Sequence, residues 1–461
     1  MDTNTKSIIE EVEHFLEYGI DQDLIQFLEE QNISDVKELI DEMPEHAVHF
    51  FELLPIERSV HVFRILDFPT QEKILKKLPG NKISELINEL PPDDLTSLFS
   101  ELHGDAVKNL IVLLPEPERK AALKLLGYKE DSVGRLMTPD YVAVKKHWTI
   151  DRVLEHIRRF GKESETIDVI YVLDDNGVLI DDLKIQKVLL AAPNTMVKDL
   201  IDDRLVALKA NDNQEEAVQI FRLNNRVALP VTDENNILLG IVTIDDILWV
   251  ANEEFTEDIQ KIGGSEALDE PYLDTPILGL VRRRVGWLAI LMVGQMLTFH
   301  AMQIFEKDIE KLIILSLFVP MIISCGGNSG SQASTLIVQA MALGEVTLKD
   351  WWRIMKREIL SGALLGLALA LIGFARVILG YWIEPHIYSN VWFPLSLTIA
   401  SAVFFIVLWG SLSGSMLPIV LKKFGLDPAN SSAPFVATLV DVTGVLIYFS
   451  CALLFLGEYL N

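Results

Sequence analysis

The stretch VPMIISCGGNSGSQAST, Val319–Thr335, decides how this chain is read. It lies in an apolar window at roughly 312–342, long enough to cross about 30 Å of hydrocarbon at 1.5 Å per residue. Yet it carries Pro320, then Gly326, Gly327, Asn328, Ser329, Gly330, Ser331 and Gln332, and no charge at all. Such residues weaken a helix and raise the cost of insertion. Glycines expose backbone carbonyls, and Pro320 frees a carbonyl one turn earlier. Asn328 and Gln332, four apart, share a helix face. Polar backbone and amides at membrane depth are tolerated where they meet protein or a water-filled cavity, so an ion path is the expected reason for them.

Four further windows of spanning length flank this one, at roughly 285–304, 359–382, 393–421 and 434–457, which makes a five-helix α transmembrane domain over 281–461. The connections alternate in Lys and Arg. Arg282–Arg284, then Lys349, Arg353, Lys356 and Arg357, then Lys422 and Lys423 fall on one side; only Lys307 and Lys311 fall on the other. The positive-inside rule places the N-terminal region in the cytoplasm and the C-terminus outside. Gly362/Gly366 and Gly410/Gly414 are pairs four apart that permit close helix contact. The fifth window contributes the one carboxylate deep in the membrane, Asp441, about a third of the way along. An acid there costs about 2.5–3.5 kcal/mol on insertion scales, which makes it a functional candidate; a structural pair with Arg376 is the alternative.

Outside the spans the chain is strongly acidic. Its formal net charge is −26, from 40 Lys+Arg against 66 Asp+Glu. From Pro271 onward there are 12 basic and 11 acidic residues, and subtraction leaves 28 and 55 before it, a net of −27. A region so charged repels nucleic acid and concentrates cations. The two cysteines, Cys325 and Cys451, fall in expected spans, so no disulfide framework is implied. The opening residues lack the basic and apolar regions of a secretory signal.

Residues 1–131 read as an all-α superhelix. Short amphipathic helices are punctuated at Met43-Pro44, Leu54-Pro55, Phe68-Pro69, Leu78-Pro79, Leu90-Pro91 and Leu114-Pro115, where proline ends one helix and opens the next. In LPPDDLTSLFSEL, Asp93 and Asp94 open a helix, and the macrodipole alone would account for both. Residues 132–252 change to an α/β pattern that repeats after about 60 residues, each copy giving strand, helix, strand, turn, strand and helix. This tandem resembles a pair of CBS domains. Some such pairs bind adenosyl nucleotides through Gly-x-x-Thr-x-x-Asp, which the second copy has as Gly240, Thr243 and Asp246; the first has Asp181, Lys184 and Lys187 in those places, and a purely structural pair is the alternative. Over 253–280 a connecting helix and linker follow. On DDILWVANEEFTEDIQKIGG, Asp246, Glu253 and Glu257 fall within about 40° of one another, with Glu254 and Asp258 beside them, and like charges so placed are better held when a cation bridges them.

Taken together, VPMIISCGGNSGSQASTLI, EEFTEDIQKIGG and DPANSSAPFVATLVDVTGVLIY are similar to the MgtE family of magnesium channels and transporters, along essentially the whole chain. The resemblance implies a multidomain membrane protein: helical N-domain, tandem CBS domains, plug helix and five spans. It implies a homodimer in the bilayer of a bacterial cytoplasmic (inner) membrane, its pore lined by the second and fifth spans, with Mg2+ at the Asp441 position and Asn328 helping to hold the ion's waters. It further implies Mg2+ sensing through Asp93, Asp246, Glu254, Glu257, Asp258 and Asp427; ATP at the CBS domains rests on the Gly240, Thr243 and Asp246 element alone, with the structural pair as its alternative. Asn225, Trp249 and Ser97 stand where some members have carboxylates, which points to a weaker or differently placed sensor. An enzyme such as an intramembrane aspartyl protease needs two carboxylates sharing a proton, and one is present, so no catalysis is expected. No Walker-type phosphate loop suggests an ATP-driven pump. A divalent-cation or nucleotide receptor that does not transport is the remaining alternative.

Overall fold

The computed structural model describes residues 3–268, 271–273, 275–388 and 391–460; Asp269, Glu270 and Asp274 of the expected linker lie outside them. The chain divides into two compact units, residues 1–251 and 252–461.

In the first unit, residues Asp21–Leu126 form a run of short helices whose boundaries follow the apolar-proline junctions. Pro55, Pro79, Pro91 and Pro115 each sit at a helix N-cap, where a missing N–H removes nothing that would be bonded. The residues before them, Leu54, Leu78, Leu90 and Leu114, are buried in one continuous core with Ile40, Phe50, Phe63 and Ile87. Each junction thus turns the chain and anchors it. Burying a leucine contributes about 1.5–3 kcal/mol, enough to hold helices of about ten residues that would be marginal alone.

Two three-stranded sheets follow. In the first, β1 (Tyr141–Lys145) pairs parallel with β2 (Thr166–Leu173), and β2 antiparallel with β3 (Leu179–Lys184). The second repeats this with β4 (Leu208–Lys209), β5 (Ala228–Thr232) and β6 (Leu238–Thr243). The turns are built alike: Asp174 Oδ1 accepts from the N–H groups of Asn176 and Val178, and Asp233 Oδ1 from those of Asn235 and Ile237. Gly177 and Asn236 take the left-handed conformation these turns need. The turns also bond to each other, Leu179 N–H to Asn236 O and Leu238 N–H to Gly177 O, which joins the copies into one pair. This is the tandem CBS arrangement read from the repeat.

A helix, Ile244–Ile262, begins directly after β6. It ends in a Schellman motif: Ser265 N–H bonds Gln260 O, Gly264 N–H bonds Lys261 O, and Gly264 sits at φ +78°.

Five helices of the second unit are long and apolar enough to span a membrane: Ile277–Ile304, Ile314–Ala342, Leu348–Ile383, Trp392–Lys423 and Ala433–Tyr459. The third begins about two turns before the apolar window and so includes Glu358 at its basic end, beside Arg353, Lys356 and Arg357. The fourth is the most enclosed and carries much of the core through Ile399, Ala402, Ile406 and Val407. The second span is one unbroken helix despite Pro320 and its glycines, contrary to the weakening expected of them. The reason is packing. A Cβ on Gly326 or Gly330 would run into the fourth and fifth spans at Ile406, Gly410 and Val436, and one on Gly410 or Gly414 would meet the carbonyls of Gly326 and Gly330. Gly362 and Gly366 likewise lie against Ser411 and Phe404 of the fourth span. The small residues let backbones approach, and the contacts replace the helix propensity they lack.

Candidate ion sites in the spans and the acidic region

The polar run of the second span is divided by face. Ser329 Oγ lies 2.7 Å from Ser411 Oγ, Ser331 Oγ donates to Ala433 O at 3.0 Å, and Ser334 Oγ to Ser431 O at 2.8 Å. These hydroxyls tie the second span to the fourth and to the start of the fifth. Ser324, Asn328, Gln332, Thr335 and Gln339, by contrast, are all exposed, on one arc of the helix. The Asn328 side chain donates a hydrogen bond within its own helix, to Ser324 Oγ at 3.4 Å. An exposed stripe of hydroxyls and amides on a spanning helix requires water or another protein surface beside it.

Asp441 is half-buried on the fifth span next to the second, where Gly327 leaves room: a Cβ there would stand 3.8 Å from Asp441 Oδ1. Its carboxylate accepts a hydrogen bond from the Gln295 side chain of the first span. Arg376 is exposed on the third span and does not pair with it, so the structural alternative for Asp441 is not realised. Gln295 was not legible beforehand, because one uncharged amide barely lowers the hydropathy of its window.

Just before the N-terminal end of the fifth span, Asp427 Oδ1 caps the turn Pro428–Asn430 by accepting from Ala429 N–H at 2.8 Å. Its other oxygen accepts from Lys261 Nζ at 2.7 Å, and Lys261 also pairs with Glu257 one turn back on the connecting helix. Burial disfavours the Lys261 charge, but the two carboxylates outweigh it and hold the ammonium well above its ordinary pKa. Two expected metal ligands, Glu257 and Asp427, thus share a lysine. Glu254 and Asp258 are half-buried on the same helix.

Within residues 1–251, Asp93 and Asp246 come together, and three acids not foreseen as ligands join them: Asp94, Glu165 and Asp245. Asp93 is 5% exposed, and neither carboxylate oxygen has a hydrogen-bond partner. It makes no N-cap bond at the helix it opens, so capping does not explain it. Asp246 accepts from Thr243 Oγ1 at 2.6 Å. Burial, reinforced by the neighbouring acids, raises Asp93 well above the usual carboxylate range; Asp94 is pushed up to about 7 and Asp246 to about 6, burial again being the main cause. Arg64 enters this group, its Nε 2.6 Å from Asp94 Oδ2, and its Nη2 3.3 Å from Glu165 Oε1 and 4.0 Å from Asp245 Oδ2. Among the described residues, no three His, Cys, Asp or Glu side chains converge tightly enough to hold a metal by themselves. Carboxylates repel at such range unless a cation sits between them, and here a guanidinium lies among them.

The nucleotide element of the second copy has other work in this structure. A Cβ on Gly240 would stand 2.6 Å from Thr138 O, so close packing requires the glycine, and Thr243 is engaged with Asp246. In the first copy Asp181 is fully buried and accepts from the N–H groups of Asp182 and Asp202, while Lys187 pairs with Asp202. Asn225 holds the left-handed C-cap of its helix, a position that suits asparagine better than a carboxylate ligand. Ser97 and Trp249 are exposed.

Comparison with known proteins agrees with this architecture. Profiles of the MgtE intracellular N domain, the CBS domain and the MgtE "Divalent cation transporter" match residues 31–131, 133–183 with 197–253, and 319–451. The magnesium transporter MgtE of Thermus thermophilus is 39% identical over 345 residues, 74% of each chain. That of Bacillus subtilis is 31% identical over 340 residues, 74% of this chain and 73% of its own. Among solved structures, the cytosolic domain of the Mg2+ channel MgtE in complex with ATP matches at TM-score 0.51 and 33% identity, covering 52% of this chain and 99% of that one. The soluble part of a magnesium transporter matches in fold, also at TM-score 0.51, with 20% identity over 54% of this chain and 99% of its own.

Proposed function

The chain belongs to the MgtE family of magnesium transporters, and from that membership we propose that it is a Mg2+-selective channel carrying the ion into the cytoplasm and closed by the same ion bound at its acidic cytoplasmic sites. It is a multi-pass membrane protein with five spans. The bacterial inner membrane, the cytoplasmic N-terminus and the outward C-terminus are parts of the proposal.

One observation carries it: Asp441 stands at span depth beside Gly327, held by Gln295, on the helix next to the exposed Asn328 stripe. Mg2+ gives up its water reluctantly, so a pore suited to it grips the hydrated ion. In a homodimer the two Asp441 carboxylates would face one hydrated ion, with Asn328 and backbone carbonyls bonding its waters. Paired charges favour a divalent ion over a monovalent one, and the membrane potential acting on two charges drives it inward.

Closure would follow when Mg2+ bridges carboxylates that otherwise repel. Asp93 and Asp246 are candidates in the acidic region, and Glu254, Glu257, Asp258 and Asp427 along the connecting helix and the fifth span. Binding of ATP near Gly240, Thr243 and Asp246 is suggested by the complex formed by the similar cytosolic domain. The decisive experiment is Mg2+ flux into proteoliposomes for wild type and Asp441→Asn. A loss of at least tenfold with normal assembly is expected; unchanged Mg2+ flux would exclude the proposed ion site and favour a receptor.

A further inference from the structure

We infer that Arg64 is a tethered cation in the acidic site of residues 1–251, taking one of the positions a divalent ion would otherwise fill, so that this chain holds part of its closed cytoplasmic arrangement without bound metal. The inference rests on reading that site as a divalent-cation sensor.

The site has five carboxylates, Asp93, Asp94, Glu165, Asp245 and Asp246, and one cation. Arg64 is the last residue of the helix Ile56–Arg64, Asp93 and Asp94 open the helix Pro92–Glu101, Glu165 precedes β2, and Asp245 and Asp246 follow β6. The guanidinium therefore spans three segments that are remote in sequence and would separate if their acids repelled one another. It is only 19% exposed, as are 24% of the Asp94 side chain and 16% of that of Glu165, so solvent screens these charges incompletely. The 2.6 Å approach to Asp94 is an ion pair without hydrogen-bond geometry, whereas the contact with Glu165 is a hydrogen bond at 3.3 Å. Arg64 thus neutralises without meeting the acceptors of every acid. What it leaves over is Asp93, buried, aimed into the group, and with both oxygens unpartnered.

Arg64 and a divalent ion accordingly share the site. The fixed guanidinium supplies one positive charge to the five acids at all times. The remaining excess, centred on Asp93 and Asp246, is what a divalent ion of hard, oxygen-seeking character would take up. A buried carboxylate without donors is costly unless protonated or paired, so the residual site favours a cation. Because one charge is already offset, the part of closure that depends on free Mg2+ is smaller than five unneutralised acids would make it.

The test is limited digestion of the full-length protein in detergent with proteinase K, comparing wild type, Arg64→Gln, Arg64→Lys, and Arg64→Gln combined with Asp94→Asn. In EDTA, Arg64→Gln should lose protection within residues 1–251 at least fivefold faster than wild type, Arg64→Lys should stay near wild type, and the double variant should recover. Saturating Mg2+ should bring Arg64→Gln back to the wild-type rate, so its ratio between the two conditions becomes several times larger. Digestion of Arg64→Gln at the wild-type rate in EDTA overturns the inference. So does sensitivity that neither Mg2+ nor the Asp94→Asn change restores, because that is the mark of a packing role alone. If wild type and Arg64→Gln both ignore Mg2+, the sensor reading of the site fails, while the comparison in EDTA still decides whether Arg64 restrains the acids.

Discussion

Asp94 and Asp246 show how much a single carboxylate's surroundings matter. Their pKa values in the folded chain, about 7 and about 6, lie above the ordinary 3.8 because burial and neighbouring acids disfavour the charged form. The sign follows directly: an acid whose folded pKa is raised stabilises the fold when protonated, fully below its ordinary pKa, and that contribution is lost as pH rises through 6 to 7. In EDTA, the thermal melting midpoint of the acidic unit, residues 1–251, should therefore fall between pH 5 and pH 8. Each kcal/mol lost should lower the midpoint by roughly 2–4 °C in a unit of this size. With saturating Mg2+ the fall should vanish, because a bound cation stabilises the ionised acids; a pH-independent midpoint in EDTA would contradict the assigned burial. Asp441 was legible from sequence because a carboxylate at lipid depth has few innocent explanations. Arg64 and Glu165 were not, since they are 101 residues apart and neither stands in a periodic or spaced motif.

Among elements, the second span is the instructive case. Its sequence contains the pairing Gly326/Gly330, which meshes with Gly410/Gly414 of the fourth span, and that mesh explains an unbroken helix that propensity alone would not predict. The fourth-span glycines were readable as a spacing of four; which helix they met was not, because spacing fixes a face and leaves its partner open. Likewise the junction leucines and prolines announced the helical N-domain, while the carboxylates its helices would bring together depend on how the helices stack. Gly414→Leu should separate the second and fourth spans, since its side chain would enter the Gly330 carbonyl. A cost of 1–3 kcal/mol or more is expected, read as a lower denaturant midpoint in detergent titration. Gly286→Ala in the first span, where nothing lies within 4 Å, should shift the midpoint by no more than about 0.5 kcal/mol. Equal effects at the two positions would mean that the helix mesh is not what holds the second span.

Across the whole chain, charge is divided: −27 before residue 271 and +1 after it. Self-repulsion of this size loosens a compact state, and any salt relieves part of it. Screening and binding separate by depth. At about 0.15 M the Debye length is about 8 Å, so sodium chloride weakens repulsion between exposed acids such as Asp105 and Glu116. It reaches Asp93 poorly, because that carboxylate is buried, away from the diffuse ion atmosphere. Hydrogen exchange on the intact protein at constant ionic strength should therefore distinguish the two. Replacing part of the sodium chloride with millimolar MgCl2 should slow exchange in segments 91–101 and 240–250, around Asp93 and Asp246, well beyond the change at 105–111, where Asp105 is exposed. Equal slowing in all three segments, or the same pattern from sodium chloride alone, would reduce the acidic region to a diffuse counterion atmosphere. A response confined to the segments around Asp93 and Asp246 would mean that a discrete ion, held by acids drawn from two domains, converts the charge imbalance into a signal.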